Sequence, residues 1–124
     1  MALNNLGLAL RDAGELEQAI AVHQETVAIY REIGDPNGEG LALSNLGLVL
    51  QEADLLGEAI AALRDASAIY KTSGERGNEG KTLYYLALAL RKAGRGAEAD
   101  AMRREAITIY REIEDQADRE DFDS

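Results

Sequence analysis

The chain has 124 residues, of which 46% are hydrophobic and one is proline; it is long enough for one compact unit or one short array, and its composition is not that of a disordered chain. A formal net charge of -10 excludes general binding to DNA or RNA, which repel an acidic surface. With no cysteine there is no disulfide or thiolate metal site, which fits a reducing, cytoplasmic setting, and neither a signal peptide at Met1-Ala2-Leu3-Asn4 nor an apolar run of membrane-spanning length is present.

Alanine and leucine dominate and β-branched residues are few, which favours helix throughout. Leu3, Leu6, Gly7 and Leu10 fall at helical spacing and make one face of a first helix, and Gly14 is placed to end it with a left-handed cap. A second helix is predicted from Leu16 to Ile33, with Ala19, Ile20, Val27 and Ile29 among its apolar residues, closed by Gly34. Asp35-Pro36 then opens the next helix, aspartate as N-cap and proline where its missing N–H had no partner. Helices follow from about Asn37 to Ala53 and Leu55 to Ser73, with Asp54 in place of a turn glycine and Gly74 as the stop. The last pair runs from about Asn78 to Ala93 and, after a turn at Gly94, from Gly96 to about Ile113. Residues 114–124 carry six acids and one base and read as an acidic, polar tail.

These elements repeat every forty residues. Leu46-Gly47-Leu48-Val49-Leu50 has counterparts in Leu6-Gly7-Leu8-Ala9-Leu10 and Leu86-Ala87-Leu88-Ala89-Leu90. Ala59, Ala61, Ile69 and Tyr70 match Ala19, Ala21, Ile29, Tyr30 and Ala99, Ala101, Ile109, Tyr110. Self-similarity at a fixed period marks stacked supersecondary units. The domain reading is one array: residues 1–36, 37–76 and 77–113, then the tail 114–124. Gly7 and Gly47 lie inside helices, where glycine costs about 1 kcal/mol relative to alanine. Their recurrence, with Ala87 as the third member, predicts a close approach by the partner helix. Tyr30, Tyr70 and Tyr110 are expected to pack between repeats with their hydroxyls near the surface.

Asn5-Leu6-Gly7, Leu10, Gly14, Ala19-Ile20 and, in the second unit, Asn45-Leu46-Gly47, Leu50, Ala59-Ile60, Leu63 and Ala66 resemble the tetratricopeptide repeat family, over nearly the whole chain. The forty-residue period, with Gly34-Asp35 and Glu39, is similar to the variant in kinesin light chains, spindle-orientation adaptors and large bacterial regulators, above all arrays attached to NTPase-containing regulators of filamentous soil bacteria. The resemblance implies an all-α, right-handed α-α superhelix of three helix-turn-helix repeats that binds a protein or peptide. The chain departs from the family pattern in three ways. Leucines stand at 3, 43 and 83 where a large aromatic is common, His23 and Arg103 replace the apolar residue found at Leu63, and no solvating helix clearly follows the third repeat. The short first helix reads as cut, which suggests an excerpt of a longer array in a larger regulatory protein. Asp100, Arg103 and Arg104 make the last helix polar like a true end.

Helix geometry separates two faces on the first helix of each repeat. Leu43, Leu46, Gly47 and Leu50 take the core, while Asn45, Leu48, Val49 and Glu52 share the adjacent face. By resemblance that second face lines the concave groove, making these four residues, with Asn5, Leu8, Asp12, Tyr85, Leu88 and Lys92, the candidate peptide-binding surface. Leu8, Leu48 and Leu88 form its floor, and the asparagine amides offer donors and acceptors to a peptide backbone. The alternative is that these leucines are ordinary helix-packing residues.

Residues 1–40 carry seven acids and two bases, residues 81–113 four acids and seven bases. This asymmetry allows head-to-tail homo-oligomerisation through the open ends, a tail folded back onto Arg91, Lys92 and Arg95, or plain solvated charge, since exposed pairs contribute only ~0–1 kcal/mol. Nothing points to an enzyme. His23, the single histidine, has no cysteine or serine partner and reads as a partly exposed helix residue. Glu15 and Glu17, or Asp118, Glu120, Asp121 and Asp123, do not converge as a metal shell does. Gly38-Glu39-Gly40 and Gly94-Arg95-Gly96 lack the strand-turn-helix setting of a phosphate loop. No cofactor or metal is expected.

Overall fold

The computed structural model describes residues 2–123, with side chains described for 2–121. Met1, Ser124 and the Asp123 side chain, part of the opening and the tail discussed above, lie outside the described residues. Six helices follow one another: α1 (Ala2–Asp12), α2 (Leu16–Ile33), α3 (Pro36–Glu52), α4 (Leu56–Ser73), α5 (Arg76–Lys92) and α6 (Gly96–Asp123). Among the described residues none is strand, and no helix is long and apolar enough to cross a membrane. The pairs α1–α2, α3–α4 and α5–α6 stack as a right-handed superhelix.

Left-handed residues end the helices. Gly34 stands at φ 80° and Gly74 at φ 76° after α2 and α4. The Gly34 and Asp35 N–H groups both return to the Tyr30 carbonyl at 3.0 Å, closing the last turn. Within the second pair the tight turn uses Asp54 at φ 63°, a conformation aspartate enters at lower cost than most residues. Asp35 caps α3 by accepting the Gly38 N–H at 3.0 Å, with Pro36 following it. Glu75, at the corresponding place before α5, makes no such side-chain bond. Asp35→Ala should therefore lower stability by about 1 kcal/mol, seen as a lower urea midpoint, while Glu75→Ala should leave the midpoint nearly unchanged.

The last helix differs from expectation. It does not stop near Ile113 but continues to Asp123. Glu114 stands where Gly34 and Gly74 end α2 and α4, so nothing breaks the helix and it propagates. At about 1.5 Å per residue, the acidic segment is carried to the opposite end of α6 from Arg91, Lys92 and Arg95. It cannot fold back onto them. Arg91 pairs instead with Asp100 at 2.8 Å and Arg95 with Glu98 at 2.7 Å.

The core lies where each first helix meets the second helix before it and its own partner. Leu43, Leu46 and Leu50 of α3 bury with Val27 of α2 and Ala59, Ala62 and Ala66 of α4. Leu83, Leu86 and Leu90 of α5 bury with Ile60 and Leu63 of α4 and Ala106 and Ile109 of α6. Leu3, Leu6 and Leu10 share the same helix face but are not buried, and Leu6 is 47% exposed. Among the described residues no helix packs in front of α1.

The helical glycines do make room, for a side chain rather than a backbone. A Cβ on Gly47 would sit 2.6 Å from Leu63, and one on Gly7 2.5 Å from the His23 ring. His23 is thus fully buried, not partly exposed, because it takes the core place that Leu63 fills one repeat later. Arg103, third in that series, stays in solvent. The tyrosines are less regular than their spacing suggests. Tyr70 and Tyr110 lie against Gly40 and Gly80 of their own helix pairs. Tyr30 lies against Gly38 of the following pair, and Tyr70 also lines a cleft with Lys81, Thr82 and Tyr85 of the pair that follows it.

Candidate functional site

The first helices α1, α3 and α5 stand side by side and form one wall. Polar ties link them across the repeats: Arg11 Nε donates to Glu52 Oε1 at 2.7 Å, and Lys92 Nζ donates to the Gln51 carbonyl at 3.2 Å. Behind these, the Ser44 and Thr82 hydroxyls meet at 3.3 Å in a buried contact. The Arg11 pKa is raised, chiefly by its hydrogen bond to Glu52, and Tyr85 of α5 contributes to the same shift.

Each residue proposed from the sequence has a distinct place on this wall. On α1, Asn5 and Asp12 are exposed and Leu8 is 36% exposed. On α3, Asn45 and Leu48 are half-buried, and Glu52 is exposed but engaged by Arg11. On α5, Tyr85 is half-buried, Leu88 is 39% exposed and Lys92 is exposed. Val49 does not belong with them. It is fully buried, because its position turns into the helix packing behind the wall, and it offers nothing to a ligand.

Between α3 and α5 the wall dips into a cleft of about 60 Å³, lined by Leu41, Asn45 and Leu48 on one side and Lys81 and Tyr85 on the other, with Tyr70 at one end. The Lys81 ammonium lies 5.8 Å from the centre of the Tyr85 ring, within range of a cation–π contact. Tyr84 and Tyr85 rings are 6.2 Å apart and tilted. Burial pushes the Tyr70 phenol up, Glu75 adds to the rise, and the Ser44 hydroxyl pulls it down. Leu41 and Lys81 were missed in the sequence reading. Their signal is a spacing: position 41 stands one turn before 45 on the face that 48 and 52 continue, as 81 stands before 85.

The wall can therefore offer apolar contact from its leucines, amide hydrogen bonding from Asn5 and Asn45, and charge of both signs from Asp12, Lys81 and Lys92. Among the described residues no three histidine, cysteine, aspartate or glutamate side chains converge to hold a metal. A larger open groove of about 530 Å³ lies where α4 and α6 approach over α5. Leu83, Leu86 and Met102 line its floor, and Arg64 bridges its rim to Glu98 at 3.0 Å.

Two family models, each described as Tetratricopeptide repeat, match residues 1–72 and 81–118. No curated protein sequence matches the chain. Among solved structures, BtubC (BKLC) from P. vanneervenii superposes with a TM-score of 0.84 at 19% identity, over 90% of this chain and 46% of its own. The TPR domain of Arabidopsis FLU superposes with a TM-score of 0.81 at 21% identity, over 86% of this chain and 90% of its own. A kinesin-light-chain-type protein of Podosopora anserina with nearly identical TPR-like repeats gives 0.77 at 18% identity, over 87% and 53%. The chain thus spans about half the length of the first and third of these. At such identities the likeness is one of fold.

Proposed function

The chain belongs to the tetratricopeptide repeat family, whose repeats generally mediate protein–protein interaction and whose members are generally scaffolds rather than enzymes, and on that premise we propose that it is a peptide-binding module using the wall of α1, α3 and α5. The ligand is an amphipathic peptide segment laid across Leu8, Leu48 and Leu88 and held at its backbone by Asn5, Asn45 and the cleft beside Tyr85. Asp12, Glu52 and Lys92 at the rim set its charge preference. The observation that carries this reading is a run of partly exposed leucines at one register position on three adjacent helices, with an open cleft beside the middle one. Covering them contributes ~25 cal/mol per Å² of apolar area before ordering costs. We place the module in the cytoplasm of a bacterium, within a larger regulatory protein, on the resemblance of its repeats to the arrays of bacterial regulators.

Panning a displayed library of amphipathic peptides tests the proposal. Leu48 is half-buried at the wall surface, so Leu48→Asp should keep its helical circular dichroism and lose at least tenfold in affinity for every selected peptide. Retained affinity would place the binding elsewhere. Loss of helicity would show that Leu48 holds the helices together and that the leucines serve packing alone.

A further inference from the structure

The two ends of the array are the two halves of one contact. Inside the molecule that contact is made at α2 against α3, where Val27 and Tyr30 join Leu43 and Leu46, and again at α4 against α5. Moved along by the repeat period, Val27 and Tyr30 become Ile107 and Tyr110 of α6, which are 40% and 44% exposed. Moved back by one period, Leu43 and Leu46 become Leu3 and Leu6 of α1, the latter 47% exposed. The polar ties follow the same register. Arg11 bridges forward to Glu52; its counterpart in the third repeat is Arg91, and the first-repeat counterpart of Glu52 is Asp12. A helix pair following the third would thus meet Arg91 in the register of Arg11, with Asp100 already beside it. The Ser44–Thr82 contact maps onto Tyr84, 47% exposed, opposite Ala2, a large side chain opposite a small one.

From this register we infer that a second copy of the chain docks head to tail, its α1 seated on α5 and α6 of the first, Leu6 against Ile107 and Tyr110 and Asp12 against Arg91. Residues 1–40 are net acidic and residues 81–113 net basic, so these two stretches attract, while the acidic far end of α6 beyond Ile113 opposes them. The seat is apolar in one half only. In the other half Asp100 and Arg103 stand where Ile60 and Leu63 stand in α4, and Asp100 is tied to Arg91 and Arg103. Association is accordingly weak and salt-sensitive. A heterologous contact that does not close on itself extends without limit, so copies add on as further turns of the superhelix. Of the wall proposed for peptide binding only the rim residue Asp12 enters the contact, and Leu8, Leu48 and Leu88 stay uncovered.

Sedimentation velocity over a concentration series reads this out. The average mass of the wild type should climb past two copies with no plateau and fall as salt is raised. Leu6→Glu blocks the head and Ile107→Glu blocks the tail. Both sites are exposed, so each variant should stay fully helical and run as a monomer. Mixed in equal amounts, the two should form a one-to-one dimer and nothing larger, because only one complementary pair of faces remains. Arg91→Glu should weaken association at least tenfold, and Asp12→Arg added in the same chain should restore it. A wild type that is monomeric at every concentration overturns the inference. So does a mass that saturates at two copies, which marks a symmetric contact, and so does a mixture of the blocked variants that fails to pair.

Discussion

Leu63→Ala should lower the free energy of unfolding by about 2–5 kcal/mol, measured by urea denaturation followed by circular dichroism. Leu63 is fully buried and belongs to the cluster that joins α4 to α5 and α6. It also covers the backbone at Gly47, where an added Cβ would lie 2.6 Å from its branch carbon. Truncation therefore opens a void at a junction of both neighbouring repeats. The surrounding helices are fixed by their own contacts and collapse into it only in part. The paired glycine offers an internal check. Gly47→Ala alone overpacks the site by about 1–3 kcal/mol, offset in part by the better helix propensity of alanine. In the Leu63→Ala background the same methyl enters vacated space. Adding Gly47→Ala to Leu63→Ala should then recover at least about 1 kcal/mol, a coupling that independent sites do not show. Strict additivity would mean that the two side chains do not share the space.

His23→Leu should raise stability by about 1–3 kcal/mol near neutral pH and remove a pH dependence that the wild type shows in mildly acid solution. The His23 ring is fully buried on Gly7, and neither ring nitrogen meets a protein hydrogen-bond partner. A buried polar group left in that condition costs about 1–3 kcal/mol, and leucine is what the next repeat uses at the same place. Burial, aided by the charge of Arg11, lowers the His23 pKa from its ordinary 6.5. The unfolded chain therefore takes up a proton before the folded one does. Stability is full above the ordinary imidazole value and declines as pH falls from there toward the lowered folded value. Acidification also eases repulsion in so negative a chain, but it does so equally in the variant. The difference between wild type and His23→Leu, from urea titrations between neutral pH and the start of carboxylate protonation, isolates the imidazole. Parallel curves would mean that the ring titrates alike in both states and is not held dry.

Most of the architecture was written in short-range signals. Gly34, Gly74 and Asp35-Pro36 act on their own turns of backbone, so helix ends could be read one residue at a time. The forty-residue echo of Leu-Gly-Leu carried the stacking. The candidate wall was legible to the same degree, as spacing on a helical face. Leu41 and Lys81 join the cleft one turn before Asn45 and Tyr85, and how far along a helix a cleft extends is set by the neighbouring helix. Val49 was misplaced because positions 48 and 49 border each other, and which of them turns inward depends on how far α3 rotates against its neighbours.

The sequence by itself determined the six helices, their pairing and the identity of the core leucines, because propensity, caps and period all act locally or repeat. Tertiary packing alone decided the rest. His23 is buried because Gly7 leaves a space for its ring that polarity does not forecast. Leu6 is exposed because, among the described residues, no helix stands in front of α1. The same apolar residue is core or surface according to whether a neighbouring helix covers it, and a pattern along one strand of sequence does not contain that neighbour.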